Sequence, residues 1–165
     1  MTDSTNTQTS IEMLAGTHPS GEAVIERVAV AQQAQANTYL LLASPVFVRG
    51  VARGDLITQR EKPKGAFEIK QHSGNLCVRV FSKRSVELIE QQLTGEVEKL
   101  GGQRDIREQR VLVYSIHVSV GFKTIEALFD KHVTENTEAV WYYGNVYDPN
   151  TGEPLNWWQS LLSNQ

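Results

Sequence analysis

An α+β architecture is what this sequence predicts: a small antiparallel β-barrel-like unit over residues 22–74, followed by a ferredoxin-like βαββαβ unit over residues 75–147. Three observations lead to it. Up to Phe81, apolar residues recur at every second position in short runs separated by Gly, Pro, Asn and Ser, the mark of strands with one buried face. Beyond Ser82, two stretches with helical spacing alternate with strongly β-forming runs. Within the first half, Pro45–Arg60 (PVFVRGVARGDLITQR) alternates into a basic turn bracketed by Gly50 and Gly54, where the backbone must bend or take positive φ.

Taken in order, residues 1–21 carry Thr, Ser, Asn and Gly with few core formers, and are expected to form a disordered tail apart from a small apolar island at Ile11–Gly16. Glu22–Gln33 alternates through Val24, Val28 and Val30, and Thr38–Ala43 follows a turn at Ala36-Asn37 as a more buried strand. Val46–Arg49 and Asp55–Arg60 read as strands either side of the basic bend, and Glu61–Gly65 as a turn. Ala66–Gln71 and Asn75–Phe81 read as a hairpin across His72-Ser73-Gly74.

The period then changes. Ser82 or Ser85 opens a helix with Val86, Ile89, Leu93, Val97 and Leu100 on one face, stopped by Gly101-Gly102. Strands over Asp105–Glu108 and Val111–Val118 precede a helix over Phe122–Val133 with Ile125, Leu128, Phe129 and His132 aligned, and Ala139–Val146 is the last strand. This strand and helix order is the split βαβ arrangement. Residues 148–165 form a turn and a short amphipathic tail.

A chain of 165 residues, 40% hydrophobic, can bury a real core, and its net charge of −3 rules out a global field that recruits nucleic acid or acidic membranes. The single cysteine, Cys77, excludes an intramolecular disulfide framework and a multi-cysteine zinc site, and reads as a small buried strand residue. The first residues lack a basic region and an apolar segment of the secretory kind, so the cytoplasm is the expected location.

Chemistry is sparse. The sequence has no Gly-rich phosphate loop, HExxH, GxSxG or paired-Cys pattern, so no cofactor, metal or catalytic set is expected. His18, His72, His117 and His132 lie far apart, and only His72, in a turn beside Ser73, stands where loops host function. Arg49, Arg53, Arg60, Lys62, Lys64, Lys70 and Arg79 concentrate positive charge in the first half. The aromatic residues concentrate near the end, at Trp141, Tyr142, Tyr143, Tyr147, Trp157 and Trp158. Such density suits a protein interface better than a phosphate backbone, with core closure as the competing reading for Trp141 and Tyr143.

The stretch Phe47, Gly50, Val51, Gly54, Asp55 (F-x-x-G-V-x-x-G-D) and the later Ser73, Gly74, Arg79, Val80 (S-G-x-x-x-x-R-V) resemble the pattern of a bacterial family of small cytoplasmic proteins known only as a domain of unknown function. The resemblance spans residues 22–147; it implies architecture and brings no catalytic residues. The C-terminal AVWYYGNVYDPNTGEPLNWW is similar, over a short stretch, to the end of the ribonuclease E inhibitor protein B family.

The function class expected first is therefore a non-catalytic binding, inhibitory or regulatory module with a protein partner, of nuclease-regulator or toxin-immunity type. Its expected anchors are Trp141, Tyr143, Trp157 and Trp158, with Arg49 and Arg53 as a second contact zone. The alternative is RNA binding through the basic rim, with Phe81 and Tyr114 as the aromatic candidates on the central strands. An enzyme built on His72, Ser73 and Arg79 is the outsider, and needs an acid brought close by folding.

Overall fold

Two antiparallel sheets divide the chain at Gly74. The computed structural model describes residues 7–162. Strands β1 (Gln8–Thr17), β2 (Ala23–Gln32), β3 (Thr38–Leu41), β4 (Leu56–Gln59) and β5 (Phe67–Gln71) pair in that order as a five-stranded meander. Then come β6 (Asn75–Ser82), α1 (Glu87–Lys99), β7 (Gln103–Glu108), β8 (Val111–His117), α2 (Phe122–His132), β9 (Ala139–Tyr143) and a single turn, α3 (Gln159–Leu162). The second sheet has the order β7-β8-β6-β9, which is the ferredoxin-like topology. The protein is α+β, as its periodicities predict.

The first sheet has five strands, but one differs from the expected set. Residues 8–17 are not a disordered tail: β1 forms the long hairpin with β2, and Ile11 and Met13 are buried at alternate positions. Residues 1–6 of the expected tail lie outside the described residues. The sheet curls around Ile11, Met13, Val28, Val30, Leu41 and Ile57, and Leu14 N donates to Gly65 O at 2.8 Å, tying β1 to the β4–β5 turn. β1 and β5 do not pair, so the curl stays open.

Val46–Arg49 is not a strand. Its alternation is real, yet its buried residues enter two different cores: Val48 and Val51 join the interior of the first sheet, whereas Val46 and Ala52 pack with Cys77 and Val113 of the second. A segment between two cores has no neighbouring strand to satisfy its backbone, so side chains do it. Glu26 accepts from Val46 N at 2.7 Å, Phe47 N at 2.8 Å and Val48 N at 3.0 Å. Arg79, only 2% exposed, donates from Nε to Pro45 O at 3.2 Å and from Nη2 to Val48 O. Asp55, fully buried, accepts from Ala52 N at 3.0 Å and Ser73 N at 2.8 Å.

Asp105 accepts from Ser44 N at 2.7 Å and from Ser115 Oγ, while Ser44 Oγ receives Arg53 N at 2.9 Å.

Nor is His72-Ser73-Gly74 a hairpin turn. β5 and β6 belong to different sheets, and the turn is the crossover between them. Gly74 has φ +100, its carbonyl accepts from Val118 N at 2.8 Å, and a Cβ there would run into the ring of His117. The backbone groups of this turn thus bind β8 and Asp55 instead of each other.

In the second unit Leu76, Val78 and Val80 of β6 and Leu112, Tyr114 and Ile116 of β8 face the helices, packing on Ile89, Leu93, Val97, Ile125 and Phe129. α1 ends as its Gly pair predicts: Gly101 takes φ +82, and Gly101 N and Gly102 N cap the carbonyls of Glu98 and Val97. Between the helices, His132 of α2 bonds Glu96 of α1, a bond that holds the Glu96 carboxyl below the usual carboxylate range. The opposite face of β6 and β8, with Cys77, Arg79, Val113 and Ser115, is covered by residues 44–55.

Two predictions follow from these bonds. Glu26→Ala and Arg79→Met each leave buried backbone groups of residues 45–48 without partners, and each is expected to lower urea-derived stability by about 2–4 kcal/mol. Arg79→Lys, which keeps the charge but loses the fork, falls between wild type and Arg79→Met. The second concerns pH. Because the folded Glu96 carboxyl titrates below its ordinary value of 4.5, its contribution to stability is present above that value and is lost as pH falls through the folded one. Urea melts from pH 6 downward, to about pH 3, should therefore show a shallower loss of stability in His132→Gln than in wild type; parallel curves would remove the pair from the account.

Candidate functional site

The segment that separates the sheets also shapes the surface where they meet. Gly50, at φ +87, donates its N–H to Gly144 O at 3.0 Å, so the loop after β9 is tied to the bend of the first unit. Beyond it Asn145, fully buried, accepts Cys77 N through Oδ1 at 2.9 Å and donates from Nδ2 to Asn75 O at 3.0 Å. Its carbonyl receives Trp157 Nε1 at 2.8 Å. Trp157 in turn stacks on His72, with ring centroids 4.5 Å apart and planes inclined by 14°.

These contacts enclose a cleft of about 350 Å³ between the two units, lined by Arg49, Gly50, Ile69, His72, Tyr147, Pro149, Leu155 and Trp157. A second hollow of about 310 Å³ shares Arg49, Tyr147 and Pro149 with it and continues to Arg79, Tyr142 and Asp148.

The predicted site residues separate into distinct places. Trp141 and Tyr143 lie on the helix side of β9 against the core: Trp141 Nε1 donates to Asp130 Oδ1 at 2.8 Å, and Tyr143 Oη to Glu126 Oε2 at 3.1 Å. Burial, with the negative charge of Glu126, pushes the Tyr143 hydroxyl far above its ordinary pKa. Trp158 is 8% exposed and meets Phe122 edge to face with centroids 5.1 Å apart. The adjacent tryptophans meet edge to face, with centroids 5.4 Å apart, at the border of the second core: Trp158 packs toward α2, while Trp157 lies against the same cluster and stacks on His72. Arg53 reaches Asp105, Nε to Oδ1 at 3.6 Å, inside the unit interface. Arg49 alone of the six is an exposed cation without an ion pair among the described residues.

The basic rim is largely neutralised. Arg60 and Lys70 both pair with Glu68, Lys64 pairs with Glu12, Arg53 with Asp105, and Arg79 is buried. Tyr114 is on the helix side, where burial pushes its hydroxyl up to about 12 and Thr94 Oγ1 lies 2.7 Å from it. The sheet face on which an RNA-recognition motif stacks bases is the one occupied by residues 44–55.

For the enzyme reading, folding does bring an acid to His72: Asp55 Oδ2 lies 3.5 Å from Nδ1, without a hydrogen bond. Ser73 Oγ, however, donates to Arg53 O at 2.7 Å, and Arg79 is committed to two carbonyls, so the three residues do not form a reactive set. Cys77 is fully buried, and burial pushes its thiol up, away from reactive thiolate. Among the described residues no group of three His, Cys, Asp or Glu side chains is placed to hold a metal, and no helix is long and apolar enough to cross a membrane.

An exposed aromatic patch escaped the sequence reading. Phe47, Val140 and Tyr142 are 55%, 61% and 45% exposed. Phe81 joins them: its ring centroid lies 6.1 Å from that of Phe47 and 5.5 Å from that of Tyr142, and it is the cross-strand partner of Val140. The signal was present in the alternation of β9, where Val140 and Tyr142 must face opposite to Trp141 and Tyr143.

A comparison with curated proteins finds no match. Among solved structures, a hypothetical protein from Neisseria gonorrhoeae shares the fold with a TM-score of 0.62 at 12% identity, over 87% of this chain and 96% of that one. The family match covers residues 26–140, and so stops at the start of the C-terminal stretch likened above to the ribonuclease E inhibitor protein B family. With more than half of its length matched, the chain belongs to the family described as Domain of unknown function (DUF4265).

Proposed function

We propose that this chain is a non-catalytic protein-binding module of regulatory or inhibitory type, which receives an acidic segment of its partner on the patch formed by Phe47, Phe81, Val140 and Tyr142. The observation that carries the reading is the row of three rings beside β9, an edge strand of the second sheet, with Tyr142 stacked on the half-buried Phe81, Phe47 tilted against it, and the two outer rings exposed. Contiguous exposed aromatic and aliphatic surface of this kind is a favoured protein contact. The strand presenting it is held rigid from behind by Trp141 and Tyr143, which makes these two supports of the surface and gives the contact itself to their neighbours.

Charge favours an acidic partner. Arg49, two residues from Phe47, Lys83, which follows β6, and Arg110, next to Val111 opposite Phe81, are exposed and make no ion pair among the described residues. Cations around an apolar centre speed encounter with an acidic surface and select its orientation. The RNA alternative has less to rest on, because most of its cations are already paired and its stacking face is covered.

The test is affinity capture by the tagged chain, with and without nuclease, run beside a Phe47→Ala/Tyr142→Ala double variant. Both side chains are exposed, so the variant should melt within a few degrees of wild type. The expected result is a stoichiometric protein partner that survives nuclease, weakens with salt, and is reduced at least tenfold in the double variant. Partners that vanish with nuclease, or that bind the double variant equally, overturn the reading.

A further inference from the structure

The cleft between the two units has a composition distinct from the patch. Its walls are apolar and aromatic, with Ile69 and Pro149 beside Leu155 and the stacked pair His72–Trp157. Leu155 and Tyr147 remain exposed although they line a concave surface, so apolar area there is left uncovered. At about 350 Å³ the cleft is at the small end of the range for ligand pockets, suited to a compound of one or two rings.

Its charge is unbalanced in one direction. Arg49 lines both the cleft and the adjoining hollow, and Arg79 lines the hollow. Neither guanidinium has a carboxylate partner among the described residues; the contacts that Arg79 makes are to the carbonyls of Pro45 and Val48. The Arg79 guanidinium is almost out of contact with water, so solvent screens its field less than that of an exposed cation. The one carboxylate in the lining, Asp148, belongs to the hollow and is turned to its own loop, where Oδ1 accepts from Asn150 N at 2.8 Å and Thr151 N at 3.1 Å; set against the two guanidiniums, it leaves the lining with a surplus of positive charge. The walls are fixed before any ligand arrives, through Gly50 N to Gly144 O and Trp157 Nε1 to Asn145 O.

We infer that this cleft is a preformed site for a small planar organic carboxylate, whose ring lies against Leu155 and Trp157 and whose carboxylate is taken by Arg49 in the field of Arg79. Arginine is the side chain suited to this task, since its planar fork matches a carboxylate with two parallel bonds. Rigid walls lower the ordering cost of binding a ligand of this size.

The inference goes beyond the protein-binding reading and is tested apart from it. The probes are 2-naphthoate and its uncharged isostere 2-naphthamide, titrated into the ¹⁵N-labelled chain while amide and indole N–H shifts are followed. Naphthoate is expected to give saturable shifts at residues 49–50, 72, 147 and 155–157, including the indole N–H of Trp157, with a dissociation constant below about 1 mM. Naphthamide should bind at least about tenfold more weakly, and Arg49→Gln should weaken naphthoate by a similar factor with an unchanged melting temperature. Leu155→Asn, at the far side of the cleft from the Phe47–Tyr142 patch, should lose naphthoate while keeping partner capture. The inference is overturned by an absence of saturable shifts at millimolar naphthoate, by equal binding of the amide, or by shifts that map elsewhere. None of these outcomes bears on the patch, and loss of partner capture in the Phe47→Ala/Tyr142→Ala variant leaves the naphthoate result standing.

Discussion

The constraint on which this structure depends is an irregular segment, residues 44–55, buried between two sheets. Neither sheet offers it a ladder, and water does not reach most of it, so its peptide groups need partners from side chains. Glu26 comes from the first sheet to three of its N–H groups, Arg79 from the second to two of its carbonyls. Asp55 and Asp105 close its two ends. Each unit thus supplies charge to the same strip of backbone, and the strip fastens one unit to the other. Charged groups are efficient here because a hydrogen bond with an ionised partner is about twice as strong as a neutral one. They are also exacting, because a charge held away from water is tolerated only where its bonds are made.

The residues in the two Gly-containing motifs of the sequence have a physical role in this joint. Gly54 takes φ +88, and a Cβ there would come within 2.8 Å of the Ser73 Cβ. Asp55 bonds the backbone of Ala52 and of Ser73, and Ser73 Oγ returns a bond to Arg53 O. Arg79 holds the other end of the segment. Residues far apart in the chain, Gly54, Asp55, Ser73, Gly74 and Arg79, meet at one seam, and their work there is structural. A set containing His, Ser, Asp and Arg invites a catalytic interpretation, but Asp55, Ser73 and Arg79 spend their hydrogen bonds on backbone groups, and His72 Nδ1 bonds none of the three.

How much of this was legible in the sequence depended on whether a residue answers to one neighbour or to two. The helical unit could be read closely, because Ile89, Leu93 and Val97 repeat at the spacing of a helix packed on one sheet. β1 was missed although Ile11 and Met13 alternate as a strand should, since the polar composition around them outweighed a short pattern. Val46–Arg49 misled for the opposite reason: its alternation was genuine, but its buried residues answer to two different cores and to no partner strand. For the candidate site, Arg49 and Arg53 were named together from the basic bend; that Arg53 reaches Asp105 while Arg49 makes no ion pair among the described residues depends on partners distant in the chain. For the aromatic residues of β9, core closure and contact were both open for Trp141 and Tyr143, since alternation says that Trp141 and Tyr142 differ but not which one faces water. That choice is made by α2, whose Asp130 and Glu126 bind Trp141 and Tyr143 and leave Tyr142 to the surface.

The covered sheet face also explains why the two proposed surfaces lie where they do. In a ferredoxin-like unit with a bare sheet, the broad face opposite the helices is the natural platform for a ligand. Here the first unit occupies it through residues 44–55, and what remains is the margin: the edge at β9, and the crease where the loop after β9 meets the bend at Gly50. Both margins border on Arg49, which follows directly from the segment's path. Phe47 and Arg49 alternate with Val46 and Val48, so a backbone that turns the two valines into the two cores must turn the phenylalanine and the arginine outward. The interaction that fastens the units together therefore also sets an aromatic ring and a free cation on the surface beside β9. The proposed binding surface and the joint between the units are two faces of the same short stretch of chain.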